Sequence, residues 1–461
     1  MRFWDRKYLA YYFLFFIVLI SRLPFLSAGF GVEEDSWGIV LAGIHTHFGR
    51  VYEPSRFPGH PVHEYIYSFI NHDPFFYNFF SALFSAIAAV AFAAILKHLN
   101  FRYAFLAAFA LAFTPVVFIS STYTIDFIWT LAFMLISFFF LLRERYIFCG
   151  IFLGLAIGCR ITMGAMLLPY LMILWKDNRS LLKFGKILVS MTVITVLVFL
   201  PLIREFGTSF LIYYDQFPYP PMTKVFYKMS IGVFGLIGIL ALVVCKFIYF
   251  FKKNWTNGEL FSTSVQKNLI VTSIAVIALF TVSYFRLPQK SGYMITIIPF
   301  VLILAGYFLN GKWFITLCVS FILSSFVFGV NLTDKLRGAE YSKCAMTFKV
   351  SGQEIFLDPF SGPIFSDYSK RKQKEKYVHD VIEQAKNWNG SDVVICGWWY
   401  NEIMVEIFPA DRINGTVFRP YMDRAELDSY TACDRSYLPE QDIYNDQMFH
   451  MNYTDSVALP Y

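Results

Sequence analysis

Apolar residues in this chain come in long unbroken runs, not in the alternating or three-and-four spacing of half-buried strands and helices. The first run, residues 8–28, is long enough to cross a bilayer core of about 30 Å, and no small-residue cleavage site follows it, so it is expected to remain as a first helix. Further runs at 75–96, 103–121, 125–142, 146–159, 161–175, 187–203, 226–250, 268–285, 292–309 and 313–330 predict about eleven spans. The stretch 146–175 suits either one tilted helix or two short ones joined near Arg160. Basic residues favour two, because Arg2, Arg6 and Lys7, Lys97 and Arg102, Arg143 and Arg145, the group from Lys176 and Arg179 to Lys186, Lys252 and Lys253, Lys267 and Lys312 then all face the cytoplasm. The loops at 29–74, 121–124, 204–225 and 286–291 then lie outside, with everything after residue 331.

From about residue 331 the pattern turns polar. "SKRKQKEKYVHDVIEQAKNW" reads as a surface helix and "SDVVICGWW" as a buried strand, with Asn389-Gly390 as the turn between them. The expected fold is an α-helical polytopic membrane protein with a small extracytoplasmic α/β domain. Residues 1–330 form the transmembrane part, with 29–74 as its first outer loop, and residues 331–461 form the outer domain, large enough to hold its own core.

Composition agrees. Of 461 residues, 57% are hydrophobic, 20% aromatic and only 16% charged, unlike the average soluble domain. A net charge of +6 does not point to nucleic acid, since the basic residues are spread over short loops instead of gathered on one face. The seven cysteines show no paired metal spacing.

The chemistry concentrates outside. Glu33, Glu34 and Asp35 follow the first helix directly, and three adjacent carboxylates repel one another, which raises at least one pKa. Such a group suits a general base or a ligand for a divalent cation, while solvated charge at a helix N-terminus explains the same residues without chemistry. Downstream, "GRVYEPSRFPGHPVHEYIYSF" is shaped by Pro54, Pro58, Gly59 and Pro61, and presents Arg56, His60, His63 and Glu64. Its histidines raise a metal question that their spacing does not settle. Asp126 and Arg160 are expected at the outer ends of spans, where an ionisable residue needs a partner or a wet cavity, and they can serve as partners for each other. In "YFRLPQKSGYMITIIPF", Arg286 and Lys290 stand beside a helix start carrying Tyr293, a set that can hold a phosphate or simply snorkel to lipid headgroups.

Taken in order, these residues resemble the GT-C superfamily of integral membrane glycosyltransferases, which includes the protein O-mannosyltransferases and the aminoarabinose transferases of lipid A. The likeness runs over about residues 8 to 310: an Arg-Leu-Pro exit at Arg22 to Pro24, the acids at Glu33 to Asp35, "YEPSRFPGHPVHE", Asp126, Arg160, and the loop and helix of Leu287, Pro288, Tyr293 and Pro299. The resemblance implies that Glu33, Glu34 or Asp35 deprotonates an acceptor hydroxyl, with Asp126 as a second acid. Arg160 and Lys290, with Arg286 or Arg56, would stabilise a leaving polyprenyl phosphate, and Tyr293 would support the donor phosphate. Glu-Glu-Asp stands where the family carries Asp-Glu, so the register of the base stays open among three. The implied partners are a polyprenyl-phosphate-linked sugar, a glycan, lipid or protein acceptor, and membrane lipids. Attack would be direct and inverting, with the active site on the outer face of a plasma membrane of bacterial type, no certain cofactor and a divalent cation as an open option.

Two other readings compete: a transporter or flippase of a polar or lipid-linked substrate, and a non-catalytic scaffold that keeps the fold. Transporters tend to show two matching halves, and none is evident in this chain.

Overall fold

The computed structural model describes residues 6–49, 52–70, 72–175, 180–208, 211, 219–251, 260–261, 267–332, 342–350, 353–387, 393–395, 400–419, 436–438 and 457–458. Seventeen α-helices lie among them: α1 Arg6–Arg22, α2 Glu34–Gly49, α3 Pro61–Tyr67, α4 Pro74–His98, α5 Ala104–Ala112, α6 Pro115–Ser120, α7 Phe127–Leu142, α8 Tyr146–Cys159, α9 Leu167–Leu174, α10 Ser180–Phe206, α11 Met222–Met229, α12 Ile231–Phe251, α13 Lys267–Arg286, α14 Ile298–Phe308, α15 Gly311–Leu323, α16 Pro363–Lys386 and α17 Tyr400–Ile407. Among the described residues six helical segments are long and apolar enough to cross a membrane: Tyr8–Phe25, Pro74–His98, Ser180–Phe206, Ile231–Phe251, Asn268–Arg286 and Ser291–Phe308. Phe127–Leu142, Tyr146–Cys159, Ile161–Leu174 and Gly311–Leu323 are shorter apolar helices. The protein is therefore a polytopic membrane protein.

The expected run 103–121 is not one helix. It breaks between α5 and α6 because Pro115 opens α6 and forces Thr114 into an extended backbone at ψ 134°. The carbonyl that α5 leaves open at Ala112 is taken by Arg22, whose Nε also donates to Ser121 Oγ at 3.1 Å. Its guanidinium lies 4.2 Å from the ring centre of Phe118 and 4.7 Å from that of Phe113. The stretch 146–175 does break at Arg160, whose φ of −151° and ψ of 115° separate α8 from a 3-10 turn at Ile161–Met166 that leads into α9.

Two small sheets follow the last membrane helix. The strands β1 Gly329–Asn331, β2 Met346–Val350 and β3 Gln353–Asp358 pair antiparallel in the order β1-β3-β2. The second sheet holds β4 Val393–Ile395, β5 Arg412–Ile413, β6 Thr416–Arg419, β7 Ser436–Leu438 and β8 Val457–Ala458 in the order β5-β6-β4-β7-β8, with β4 parallel to β6 and β7. Asn414 and Gly415, both at positive φ, close the β5–β6 hairpin as an Asn-Gly turn demands. The expected strand at "SDVVICGWW" is β4, while the Asn389-Gly390 turn, Lys176, Arg179, Lys252 and Lys253 lie outside the described residues.

Helix α16 is a surface helix on one face, with Lys372, Lys376, His379, Asp380, Glu383 and Lys386 exposed, but its other face is buried. Its buried positions, Ile364, Arg371, Lys374, Val378, Val381, Ile382 and Ala385, form one stripe at helical spacing. The apolar end of that stripe packs with Ile403 and Phe418 as a core of its own. The charged end is buried against the loops that follow α1 and α6, as described next.

Candidate functional site

Three chain segments far apart in sequence bring charge to one point. Asp35 sits in the first turn of α2, Asp126 immediately precedes α7, and Lys290 precedes a 3-10 turn at Ser291–Ile297 that runs into α14. Arg56, from the proline-shaped loop, joins the first two: its Nη1 is 3.0 Å from Asp35 Oδ2 and its Nη2 donates to Asp126 Oδ1 at 3.4 Å. Arg160 donates from Nη1 to the other oxygen of Asp126 at 2.9 Å. Lys290 donates to Asp35 and lies 2.7 Å from Glu33 Oε2. The Arg160 guanidinium lies against two aromatic rings that pack edge-to-face on each other, 4.6 Å from the centre of Phe127 and 4.7 Å from that of Tyr293.

Burial decides how these charges behave. The Asp126 side chain is fully buried, while the Arg56, Asp35, Lys290 and Arg160 side chains keep between 16% and 28% of their surface open. Burial alone would raise the Asp35 pKa, yet Arg56 and Lys290 beside it overcome that and hold the carboxyl at about 2. Asp35 is thus ionised throughout the neutral range. Asp126 occupies the cap position of α7, but its side chain caps nothing there; both oxygens are spent on the arginines.

Glu34 goes elsewhere. It faces Glu402 of α17 and Lys374 of α16, and burial, Glu402 and Asp35 together raise its pKa to about 8, against the pull of Lys374 and Lys290. It carries a proton at neutral pH, so the three adjacent acids fall into different environments.

The loop residues divide in the same way. The Glu64 carboxylate accepts from the backbone N–H groups of His60 at 2.9 Å and Ser55 at 3.0 Å, and from the hydroxyls of Tyr52 and Ser55. It shapes the loop and has no capacity left for substrate. Gly59 turns that loop at φ +85°, and a Cβ there would meet Leu202 at 3.0 Å and Tyr52 Oη at 3.1 Å. His60 hydrogen-bonds the Cys159 carbonyl through Nδ1, 3.9 Å from Asp126, and so ties the loop to the residue before Arg160. His63 is wholly buried, its ring edge-on to Tyr67 and Trp129 with centroids 4.4 and 5.1 Å away, and burial pushes its pKa down to about 3. Arg286 ends α13 exposed, apart from the cluster and without an ion pair among the described residues. Neither residue has a place in the charged site.

Sequence reasoning missed the residues that hold the two acid-bearing loops together. Asn78 of α4 donates to the carbonyls of Leu26 at 2.7 Å and Gly29 at 3.0 Å, and accepts from Thr124 Oγ1 at 2.9 Å. Arg371, fully buried, donates to the carbonyls of Phe25 at 3.1 Å and Thr122 at 2.7 Å and pairs with Asp367 at 2.9 Å. Lys374 donates to the Val32 carbonyl at 2.8 Å and pairs with Glu402. The signal was the helical spacing of Asp367, Arg371 and Lys374, which puts them on one face.

A close approach sets the height of Lys290. A Cβ on Gly292 would lie 2.1 Å from Phe127 Cε2, so only glycine lets this backbone reach the start of α7. Among the described residues no group of three or more histidine, cysteine, aspartate or glutamate side chains is arranged to hold a metal ion. The acids such an ion would need already have arginine and lysine as counter-charges.

No curated protein matches the chain. Residues 61–203, from the start of α3 through most of α10, match the family model described as dolichyl-phosphate-mannose-protein mannosyltransferase, a GT-C family. The matched segment contains Asp126 and Arg160 but ends before Lys290 and begins after Glu33 to Asp35. Over that segment the resemblance to the GT-C membrane glycosyltransferases, drawn first from the order of these loop residues, is thus shown.

Proposed function

We propose that the protein transfers a sugar from a polyprenyl-phosphate carrier to an acceptor hydroxyl at the outer face of the membrane, with inversion at the anomeric carbon. The observation that carries this reading is the bridge from Asp35 through Arg56 to Asp126, flanked by Lys290 and Arg160. Arg56, Arg160 and Lys290 balance Asp35, Asp126 and Glu33 in the free protein, and the phosphodiester of a donor competes for the same cations.

The chemistry follows from that exchange. Arg56 and Lys290 turn toward the donor phosphate, and Asp35, relieved of them, regains ordinary carboxylate basicity. It takes the proton of the acceptor hydroxyl as the oxygen attacks C1 of the sugar. The C1–O bond to phosphate breaks on the opposite side, and the pair of electrons leaves with the polyprenyl phosphate, whose charge Lys290 and Arg160 stabilise. Asp126 keeps Arg160 in place through its carboxylate, and the Tyr293 ring packs against the guanidinium. Of the three acids, Asp35 is the base because Glu34 is protonated and faces the C-terminal domain, and Asp35, unlike Glu33, contacts Arg56 as well as Lys290 and so stands where both cations meet the donor phosphate.

About eleven spans, with the C-terminal α/β domain and the loops at 29–74 and 286–291 on the outer side, complete the topology. A donor carried across by its lipid explains why a membrane-embedded protein would place its acids outside, where nucleotide sugars do not reach. The family match supports transfer over transport. The test is mass spectrometry of envelope glycans from cells lacking the gene. One sugar should be missing, and it should return with the wild type but not with Asp35→Asn at equal protein level. An unchanged glycan profile in the deletion strain would refute transfer.

A further inference from the structure

A cavity of about 260 Å³ adjoins the ion cluster, bounded by the start of α12, the loop before α14 and the first turns of α16. Glu33 and Lys290 form its inner wall, Tyr123 stands to one side, and Ser366, Asp367 and Lys370 of α16 form the outer wall. Carboxylates, ammonium groups and hydroxyls therefore face one another across a small space, with Val116 and Ile119 as apolar patches between them. An apolar ligand would cover these charges and hydroxyls without offering them a hydrogen bond in place of water, and a purely anionic one would face Glu33 and Asp367. A ring with hydroxyls on its rim and C–H groups on its faces satisfies both kinds of wall. The volume, just below the roughly 300–1,000 Å³ of pockets for drug-sized ligands, suits one small ring and not a chain.

We propose that this cavity receives one sugar ring of a substrate, and that Asp367 and Lys370 of α16 decide which sugar is accepted. The inference rests on the sugar-transfer reading above and adds to it a role for the C-terminal domain in specificity. A wall built to hydrogen-bond hydroxyls discriminates against a ring whose hydroxyl is missing or turned, because the hydrogen bonds to that hydroxyl are then lost and the water it displaced is not replaced. The ring belongs either to the lipid-linked donor or to a glycosylated acceptor, and the chemistry of the wall is the same for both.

The experiment uses the full-length protein in nanodiscs. Binding of undecaprenyl phosphate carrying mannose, glucose, galactose or arabinose, and of bare undecaprenyl phosphate, is measured by native mass spectrometry for the wild type, Asp367→Asn, Lys370→Ala and Ser366→Trp. The last variant fills the cavity and leaves the Asp367–Arg371 pair intact, and thermal melting checks that it folds. If the ring is the donor's, the variants weaken the preferred glycosylated carrier about tenfold or more and leave the bare carrier unchanged. If it is the acceptor's, carrier binding stays constant while KM for acceptor in a membrane extract rises about tenfold at unchanged kcat. A folded Ser366→Trp protein with wild-type carrier binding and wild-type acceptor KM overturns the inference and leaves sugar transfer standing. A wild type that binds no glycosylated carrier and transfers no sugar overturns the transfer reading, and this inference with it.

Discussion

Arg160 and Asp126 meet across 34 residues of chain, with Nη1 2.9 Å from an oxygen of a carboxylate that has no exposed surface. Arg160 can reach it because the chain is extended at this residue, between the end of α8 and the following 3-10 turn. Neither residue is spare charge: each supplies the partner that the other requires at the membrane edge.

Removing one side of that pair leaves a buried charge uncompensated. Asp126→Ala should destabilise the protein by about 3–5 kcal/mol, read from chemical unfolding in detergent. Asp126→Asn, which keeps a hydrogen-bond acceptor for Arg160, should cost less.

The fate of Glu34 gives a pH signature. Its folded pKa of about 8 lies above that of a free carboxyl, so between the two values the folded protein holds a proton that the unfolded chain has lost. Stability therefore falls as pH rises through that window, from about 4.5 to about 8, and levels off above it. Glu34→Gln should flatten the melting temperature over the same range. A wild type that melts at the same temperature at pH 5.5 and pH 8 would show that Glu34 is not buried beside Glu402.

Gly292→Ala should push the Ser291–Ile297 turn off Phe127, and with it move Lys290 and Tyr293 away from Arg160. Since misplacement by about 1 Å can cost about a hundredfold in rate, transfer should drop that far while expression stays near normal.

Arg371→Ala tests the tie from α16 to the loops that follow α1 and α6. It removes donors from Phe25 and Thr122 and frees Asp367. Limited proteolysis between the last membrane helix and α16 should speed up, and transfer should weaken because the segment leading to Asp126 loses its support from Arg371.

The membrane part was legible because long apolar runs need no tertiary context to be read, and most of the runs became helices with little change. The break at Thr114 was marked by Pro115, yet composition around it is so apolar that the run read as continuous. Asp35, Asp126, Arg56, Arg160 and Lys290 were each visible as charges in apolar surroundings. That Arg56 links Asp35 to Asp126 was not, because those contacts join positions up to 70 residues apart. Glu64 and His63 looked like substrate groups by residue type; only the fold reveals that one is used up by its own loop and the other is packed among rings. The C-terminal helix misled for a simple reason. A stripe that changes from charged to apolar along its length reads as solvated until something covers its charged end.

The identity of the base is the point on which the mechanism stands. Wild type and Asp35→Asn should be compared for binding of a polyprenyl-phosphate sugar and for its consumption in the presence of acceptor. If Asp35 is the base, the variant binds donor at least as well as the wild type, because Arg56 and Lys290 are freed for the phosphate, while turnover falls by about a hundredfold or more. An Asp35→Asn protein that transfers sugar at the wild-type rate would contradict the assignment.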